Sequence, residues 1–222
     1  KAGFDIVQQA AGSREKPKKP STPQNRYLVA GNPAQAAGAL AAGPKFMSAY
    51  PMTPSTGVTE FVAKHAKTCH AVMEQAEDEI AAINMTIGAA YAGVRAMTAT
   101  SGGGFALMTE ALGLAGSAEI PVVVINAQRP GPSTGLPTRT EQGDLLYGFG
   151  MSSGDFPKAI LAPGDGEEAY YMMGHAFNLA EKYQMPVVIM SDQHLADSYE
   201  TIPPLDPKKI TIDRGQIVSG DD

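Results

Sequence analysis

The chain has 222 residues, 43% hydrophobic and 18% charged, which is enough to bury the core of one large α/β domain or somewhat more. Its net charge of −6 and the lack of a basic stripe exclude a phosphate-backbone binder, so no nucleic-acid partner is expected. The single cysteine, Cys69, excludes a disulfide framework and is too few for a zinc site or an iron–sulfur cluster within the chain.

Taken in order, residues 1–12 hold one short apolar stretch, Phe4–Val7, and a helix-like tail. With Lys1 in place of a starting Met, they read as the remnant of a preceding domain or an arm. Residues 13–25 are rich in Pro and Lys, cannot bury a core, and read as a linker. From Arg26 short apolar runs alternate with helical patterns. Strands are expected at Tyr27–Ala30, Lys45–Ala49, His70–Glu74, Arg95–Thr100, Ile120–Ala127, Lys158–Ala162 and Pro186–Ser191. Between them helices are expected at Pro33–Ala42, Thr56 to about Lys67, Glu77 to about Ala92, Phe105–Ser117 and Gly166–Tyr183. Thr53 is placed to cap the second of these, with Pro54 in its first turn. Ile120–Ala127 is the most β-branched run and reads as a central parallel strand buried on both faces. The alternation predicts an α/β fold: a doubly wound parallel sheet flanked by helices, over residues 26–195. Residues 196–222, with scattered prolines and no clear core pattern, read as an extended tail leading to an absent C-terminal domain. No apolar run reaches membrane-spanning length and no signal peptide is visible, so a cytoplasmic location without a membrane partner is expected.

In an open α/β sheet, ligands gather at the carboxyl ends of the strands. Four unusual segments fall there: Tyr50–Thr56, Gln75–Glu79, Ser101–Gly104 and the long loop 128–144. Glu77, Asp78 and Glu79 crowd the start of a helix. The helix dipole alone accounts for some of that acid, but a carboxylate held beside apolar surface also suits proton chemistry. Glu77 and Glu79 lie two apart and cannot share a helix face, so one at most is the working acid. Ala76, Ile80, Ile83 and Ile87 have the spacing of a face turned to the core. Ser101 and the following glycines allow a tight turn or the close approach of a ligand to the backbone. They do not have the spacing of a dinucleotide fingerprint. Arg129 follows the most buried strand and can receive a carboxylate, or can pair at the surface with Glu119 or Glu141. Asp165 reads as a helix cap rather than a metal ligand. Cys69 reads as a buried or half-buried thiol.

Five ordered motifs resemble the α subunit of 2-oxoacid:ferredoxin oxidoreductases, and most of all the 2-oxoglutarate branch. They are Tyr50-Pro-Met-Thr-Pro-Ser-Thr56, Gln75-Ala-Glu-Asp-Glu-Ile-Ala-Ala-Ile-Asn-Met85, Met97-Thr-Ala-Thr-Ser-Gly102, Thr109-Glu-Ala-Leu-Gly-Leu-Ala-Gly116 and Gly131-Pro-Ser-Thr-Gly-Leu-Pro-Thr-Arg-Thr-Glu-Gln-Gly-Asp-Leu145. The resemblance spans about residues 26–195 and implies the domain that binds the aminopyrimidine of thiamine diphosphate. It implies a glutamate hydrogen-bonded to a ring nitrogen, which the motif places at Glu79, with Glu77 as runner-up. It also implies substrate contacts from Thr53 and Arg129, and cofactor contacts from Ser101 and Gly102. The reaction implied is oxidative decarboxylation of a 2-oxoacid to an acyl-CoA, with electrons passed to ferredoxin. The chain shows neither a diphosphate–magnesium motif nor cluster cysteines. A β subunit carrying the diphosphate site, Mg2+ and the iron–sulfur cluster is therefore implied, in a hetero-oligomer of αβ units. The linker fits a fused preceding domain of the kind this family calls γ.

The chain departs from the family pattern at three places. Gly103 stands where proline is usual, Pro130 where glycine is usual, and Ser152 and Ser153 where a histidine is common. All three are expected near the pocket, which leaves a pyruvate or branched-chain 2-oxoacid enzyme, or a non-catalytic regulatory or assembly subunit, as alternatives.

Overall fold

In the computed structural model of the chain, residues 1–10, 18, 19, 22 and 24–216 are described. The linker expected over 13–25 and the end of the expected tail fall largely outside them. A first helix, α1 (Ala2–Ala10), buries no residue. The elements then run β1 (Tyr27–Ala30), α2 (Gly31–Ala41), β2 (Phe46–Ala49), α3 (Thr56–His65), β3 (Val72–Gln75), α4 (Glu79–Tyr91) and β4 (Ala96–Thr100). They continue as α5 (Gly102–Leu107), α6 (Thr109–Ser117), β5 (Val123–Gln128), α7 (Leu145–Gly150), β6 (Ala159–Leu161), α8 (Gly166–Tyr183), β7 (Val187–Asp192), α9 (Gln193–Asp197) and β8 (Tyr199–Ile202).

Six strands form one parallel sheet in the order β3-β2-β4-β5-β7-β6. Its central strands read as predicted, β-branched and buried throughout. Because side chains alternate across a strand, Val123, Ile125, Val187 and Ile189 face one layer. There they meet α2, α3 and α8 through Ala36, Ala39, Val58, Val62, Met173 and Phe177. Val122, Val124, Val188 and Met190 face the other, against Ile83 and Ile87 of α4, Phe105 of α5 and Leu112 of α6. The two layers are those of a doubly wound sheet.

Four expectations are corrected. The strand at Tyr27–Ala30 exists but lies outside the parallel sheet: β1 pairs antiparallel with β8, whose Ile202 is buried at 4% exposure. Leu28 of β1 is 68% exposed, so this strand lacks the two apolar faces a central parallel strand needs. The expected helix Phe105–Ser117 starts at Gly102 and is divided at Met108. On α4 the core face is Ala82, Ile83, Thr86, Ile87 and Ala90, while Ile80 is 49% exposed. Finally, Thr53 caps nothing: Ser55 stands at the N-cap of α3 and makes no side-chain cap, its hydroxyl donating instead to the Met52 carbonyl at 2.6 Å.

Other local signals hold. Asp165 caps α8 by accepting from the Glu168 amide at 2.8 Å, and Asp78 caps α4 by accepting from Ala81 at 2.7 Å. Cys69 is a free, half-buried thiol. No helix among the described residues is long and apolar enough to cross a membrane.

Candidate active site

The chain runs outward from β2 to β3, then returns to place β4 on the other flank of β2. Strand order reverses between β2 and β4, and loops from β2, β3, β4 and β5 open at that carboxyl edge. All four segments singled out in the sequence lie there.

Glu79 is the first residue of α4 and is 3% exposed. Its Oε1 is buried without a hydrogen-bond partner. The backbone of α5 makes room for it. A Cβ on Gly104 would strike Thr100 Oγ1 and Glu79 Oε1 and lie 2.8 Å from Glu79 Cγ. Glycine is therefore required at 104 for space. Thr100 Oγ1 and Ser101 Oγ, at the same strand end, are also buried without partners. Glu77, the runner-up acid, is exposed and precedes the cap residue Asp78.

Arg129 is 6% exposed and reaches back across the sheet edge. Its Nη1 donates to the Thr53 carbonyl at 2.7 Å and its Nη2 to the Thr134 carbonyl at 2.9 Å. The expected alternative, a surface pairing with Glu119 or Glu141, is absent among the described ion pairs. Nε remains buried and unpartnered. Gly102, with φ +48°, lies against it, and a Cβ there would sit 3.1 Å from Nε. Burial pushes the Arg129 guanidinium below its ordinary pKa, while the negative charge of Glu79 pulls it back up. Thr53 is exposed, so its hydroxyl is open to a ligand while its carbonyl holds Arg129.

The structure thus brings together Thr53, Glu79, Ser101, Gly102 and Arg129, and leaves Glu77 on the surface. It adds Thr100 and Gly104, to which sequence reasoning gave no role although Thr100 lies inside the motif Met97–Gly102 and Gly104 ends the segment Ser101–Gly104. A polar hydroxyl ending a buried strand was the available signal. Buried polar atoms normally find partners, so a cluster of unpartnered oxygens beside a carboxyl marks a place for a ligand. This set offers a carboxyl oxygen and two hydroxyls to the polar edge of a ligand. By contrast, no group of three or more His, Cys, Asp and Glu among the described residues is placed to hold a metal ion.

The chain is similar to proteins already known. Residues 37–217 match the family described as "Pyruvate flavodoxin/ferredoxin oxidoreductase, thiamine diP-bdg". The chain is 46% identical over 236 aligned positions to 2-oxoacid:ferredoxin oxidoreductase 1, subunit alpha, of Sulfurisphaera tokodaii, covering 100% of the chain and 37% of that protein. It is 43% identical over 192 positions to 2-oxoglutarate synthase subunit KorA of Methanothermobacter thermautotrophicus, covering 86% of the chain and 51% of the relative. A solved 2-oxoglutarate:ferredoxin oxidoreductase from Magnetococcus marinus, with 2-oxoglutarate, coenzyme A and succinyl-CoA bound, superposes with a TM-score of 0.91 at 42% identity. That match covers 100% of this chain and 40% of the solved one. The chain therefore spans between about a third and a half of the length of these relatives.

Proposed function

The chain belongs to the pyruvate flavodoxin/ferredoxin oxidoreductase family of thiamine diphosphate-binding proteins, and from that premise we propose that it supplies the aminopyrimidine-binding half of a 2-oxoacid:ferredoxin oxidoreductase active site. The observation that carries this reading is the buried carboxyl of Glu79, with one oxygen unpartnered at the switch point of the sheet. Thiamine diphosphate, when bound, supplies a carbon nucleophile for attack on the 2-oxo carbon.

The chain's own residues take the remaining roles. Glu79 Oε1 holds or accepts a proton at a ring nitrogen, and its burial excludes the water that would compete for that bond. Thr100 and Ser101 offer spare hydroxyls at the same edge. Arg129 presents a cation to the carboxylate of the 2-oxoacid, with its guanidinium plane fixed in advance by two carbonyls. Thr53 offers its hydroxyl to the same substrate. Gly102 keeps the backbone clear of the guanidinium.

The reading places residues 26–195 as the pyrimidine-binding domain, 13–25 as a linker and 196–222 as the way to a further domain, in a cytoplasmic protein. It places the diphosphate, Mg2+ and the iron–sulfur cluster on a β subunit. A partner at this end of the sheet is supported by the apolar surface of α7, where Leu146 is 85% and Phe149 61% exposed. For the substrate we propose 2-oxoglutarate, supported by the names of two of the relatives.

The test is CoA- and thiamine-dependent viologen reduction by the full-length protein co-expressed with its partner subunit. 2-Oxoglutarate, pyruvate and 2-oxoisovalerate are supplied in parallel. Reduction with 2-oxoglutarate, and much less with the other two, is expected. A complex that binds the cofactor and turns over none of them would overturn the catalytic reading in favour of a regulatory subunit.

A further inference from the structure

We propose that Asp192 and Gln142 are positioning residues that fasten the loop after β5 and thereby fix the carbonyl that aims Arg129. The proposal rests on the assignment of Arg129 to the substrate carboxylate, and concerns what holds Arg129 in place.

Residues 129–144 leave the sheet at the end of β5 and come back to the same point. Two carboxamides of β5 hold the return. Asn126 Nδ2 donates to Asp144 Oδ2 at 2.8 Å, and Gln128 Oε1 accepts from the Asp144 amide at 3.0 Å. Gln128 is the register partner of Asp192, the last residue of β7. Asp192 is 8% exposed and has no role in the chemistry described above. Its Oδ2 accepts from Gln142 Nε2 at 2.6 Å, and its Oδ1 accepts from the Leu195 amide at 2.9 Å and, at 3.5 Å, from the Thr140 hydroxyl. One buried carboxylate thus caps α9 and grips the returning half of the loop. A bond from a neutral amide to a buried carboxylate is among the stronger kinds, and its loss leaves charge unpaired.

Inside the loop a tight turn is closed by the Gly135 amide donating to the Pro132 carbonyl at 3.2 Å and the Leu136 amide to the Pro130 carbonyl at 3.0 Å. That turn carries Thr134, whose carbonyl receives Arg129 Nη2. The guanidinium therefore has one fixed partner on the β2–α3 turn and one on this loop. If the returning half of the loop is released, the second partner moves with it, and Arg129 is left with Thr53 alone.

The test uses the full-length protein co-expressed with its partner. Gln142→Glu sets two carboxylates against each other, and Asp192→Asn removes the charge but keeps an acceptor for the cap. Gln142→Glu is expected to raise the KM for the 2-oxoacid about tenfold with kcat at saturation little changed, the size expected when a bond to a charged group is lost. Asp192→Asn alone is expected to change it little, because the Gln142 amide can turn over and accept from the new amide. The double variant Asp192→Asn with Gln142→Glu restores the bond with donor and acceptor exchanged, and is expected to recover most of the KM. Independently of turnover, hydrogen exchange over residues 129–144 should rise in Gln142→Glu and fall back in the double. Unchanged exchange in Gln142→Glu overturns the proposal. If exchange rises and reverts while KM stays constant, the loop fastening stands but its link to Arg129 is refuted. An enzyme inactive in every form with exchange behaving as predicted would count against the assigned reaction and not against the fastening.

Discussion

At the scale of single residues, the site is defined by what its polar atoms lack. Glu79 Oε1, Ser101 Oγ, Thr100 Oγ1 and Arg129 Nε are all buried without partners in one neighbourhood. Such groups cost stability unless something meets them, which is why they indicate a ligand. Glu79→Gln keeps shape and volume but removes the charge. Turnover by the assembled enzyme should fall by about two orders of magnitude or more, as for loss of a positioned acid–base group. Normal turnover by this variant would falsify the role given to Glu79. Arg129→Lys probes the other charge. A lysine has no planar fork to bridge the Thr53 and Thr134 carbonyls. The KM for the 2-oxoacid should rise by about tenfold, while the thiamine concentration for half-activity should stay put. An equal rise in both would move Arg129 from substrate to cofactor.

At the scale of elements, α5 and α4 meet where a glycine makes room for a carboxyl. Gly104→Ala would push a methyl group into Thr100 and Glu79. Overpacking of this kind costs roughly 1–3 kcal/mol, and here it displaces the proposed acid as well. Calorimetry should show a lower Tm, and activity should fall further than stability explains. A stable and fully active variant would show that the carboxyl need not stay where it is. The same junction shows what the sequence made legible. Strands β2 to β7 announce themselves by apolar runs, and their carboxyl ends locate Thr53, Glu79, Ser101, Gly102 and Arg129 together. β1 was read as a strand but its antiparallel partner β8 was not, since a four-residue strand with one wet face carries little pattern: Tyr199 is 74% exposed while Ile202 is buried. The core face of α4 was misread at Ile80 because the helix is apolar nearly all round, leaving periodicity little contrast. Asn126, Gln128 and Asp192 were missed for a different reason. Their work is to bond a loop distant in sequence, and no local window shows that.

At the scale of the whole molecule, the two ends of the sheet do separate jobs. The carboxyl end leaves polar atoms unpaired, whereas at the amino end Arg95 and Glu181 are fully engaged. There Arg95 donates to Glu181 at 2.8 Å, to the Ala42 carbonyl at 2.8 Å, to Asn178 at 2.7 Å and to the Asp213 carbonyl at 3.1 Å. Arg214 closes on the other oxygen of Glu181 at 2.6 Å and on the Gly93 carbonyl at 2.9 Å. Glu181 is 7% exposed, so this carboxylate joins α8, the entry to β4, the end of α2 and the segment that follows β8. Removing one partner of a buried ion pair leaves an uncompensated charge, which costs about 3–5 kcal/mol. For a domain of this size that is a drop in Tm of roughly 6–20 °C. Glu181→Ala should show such a drop in a thermal melt, while the KM for the 2-oxoacid, measured well below the new Tm, should match the parent. Distant sites without shared partners add independently, and Glu181 shares none with Arg129. A KM that moved with the Tm would mean that the sheet transmits strain from its amino end to the site, and that its two ends are one cooperative unit.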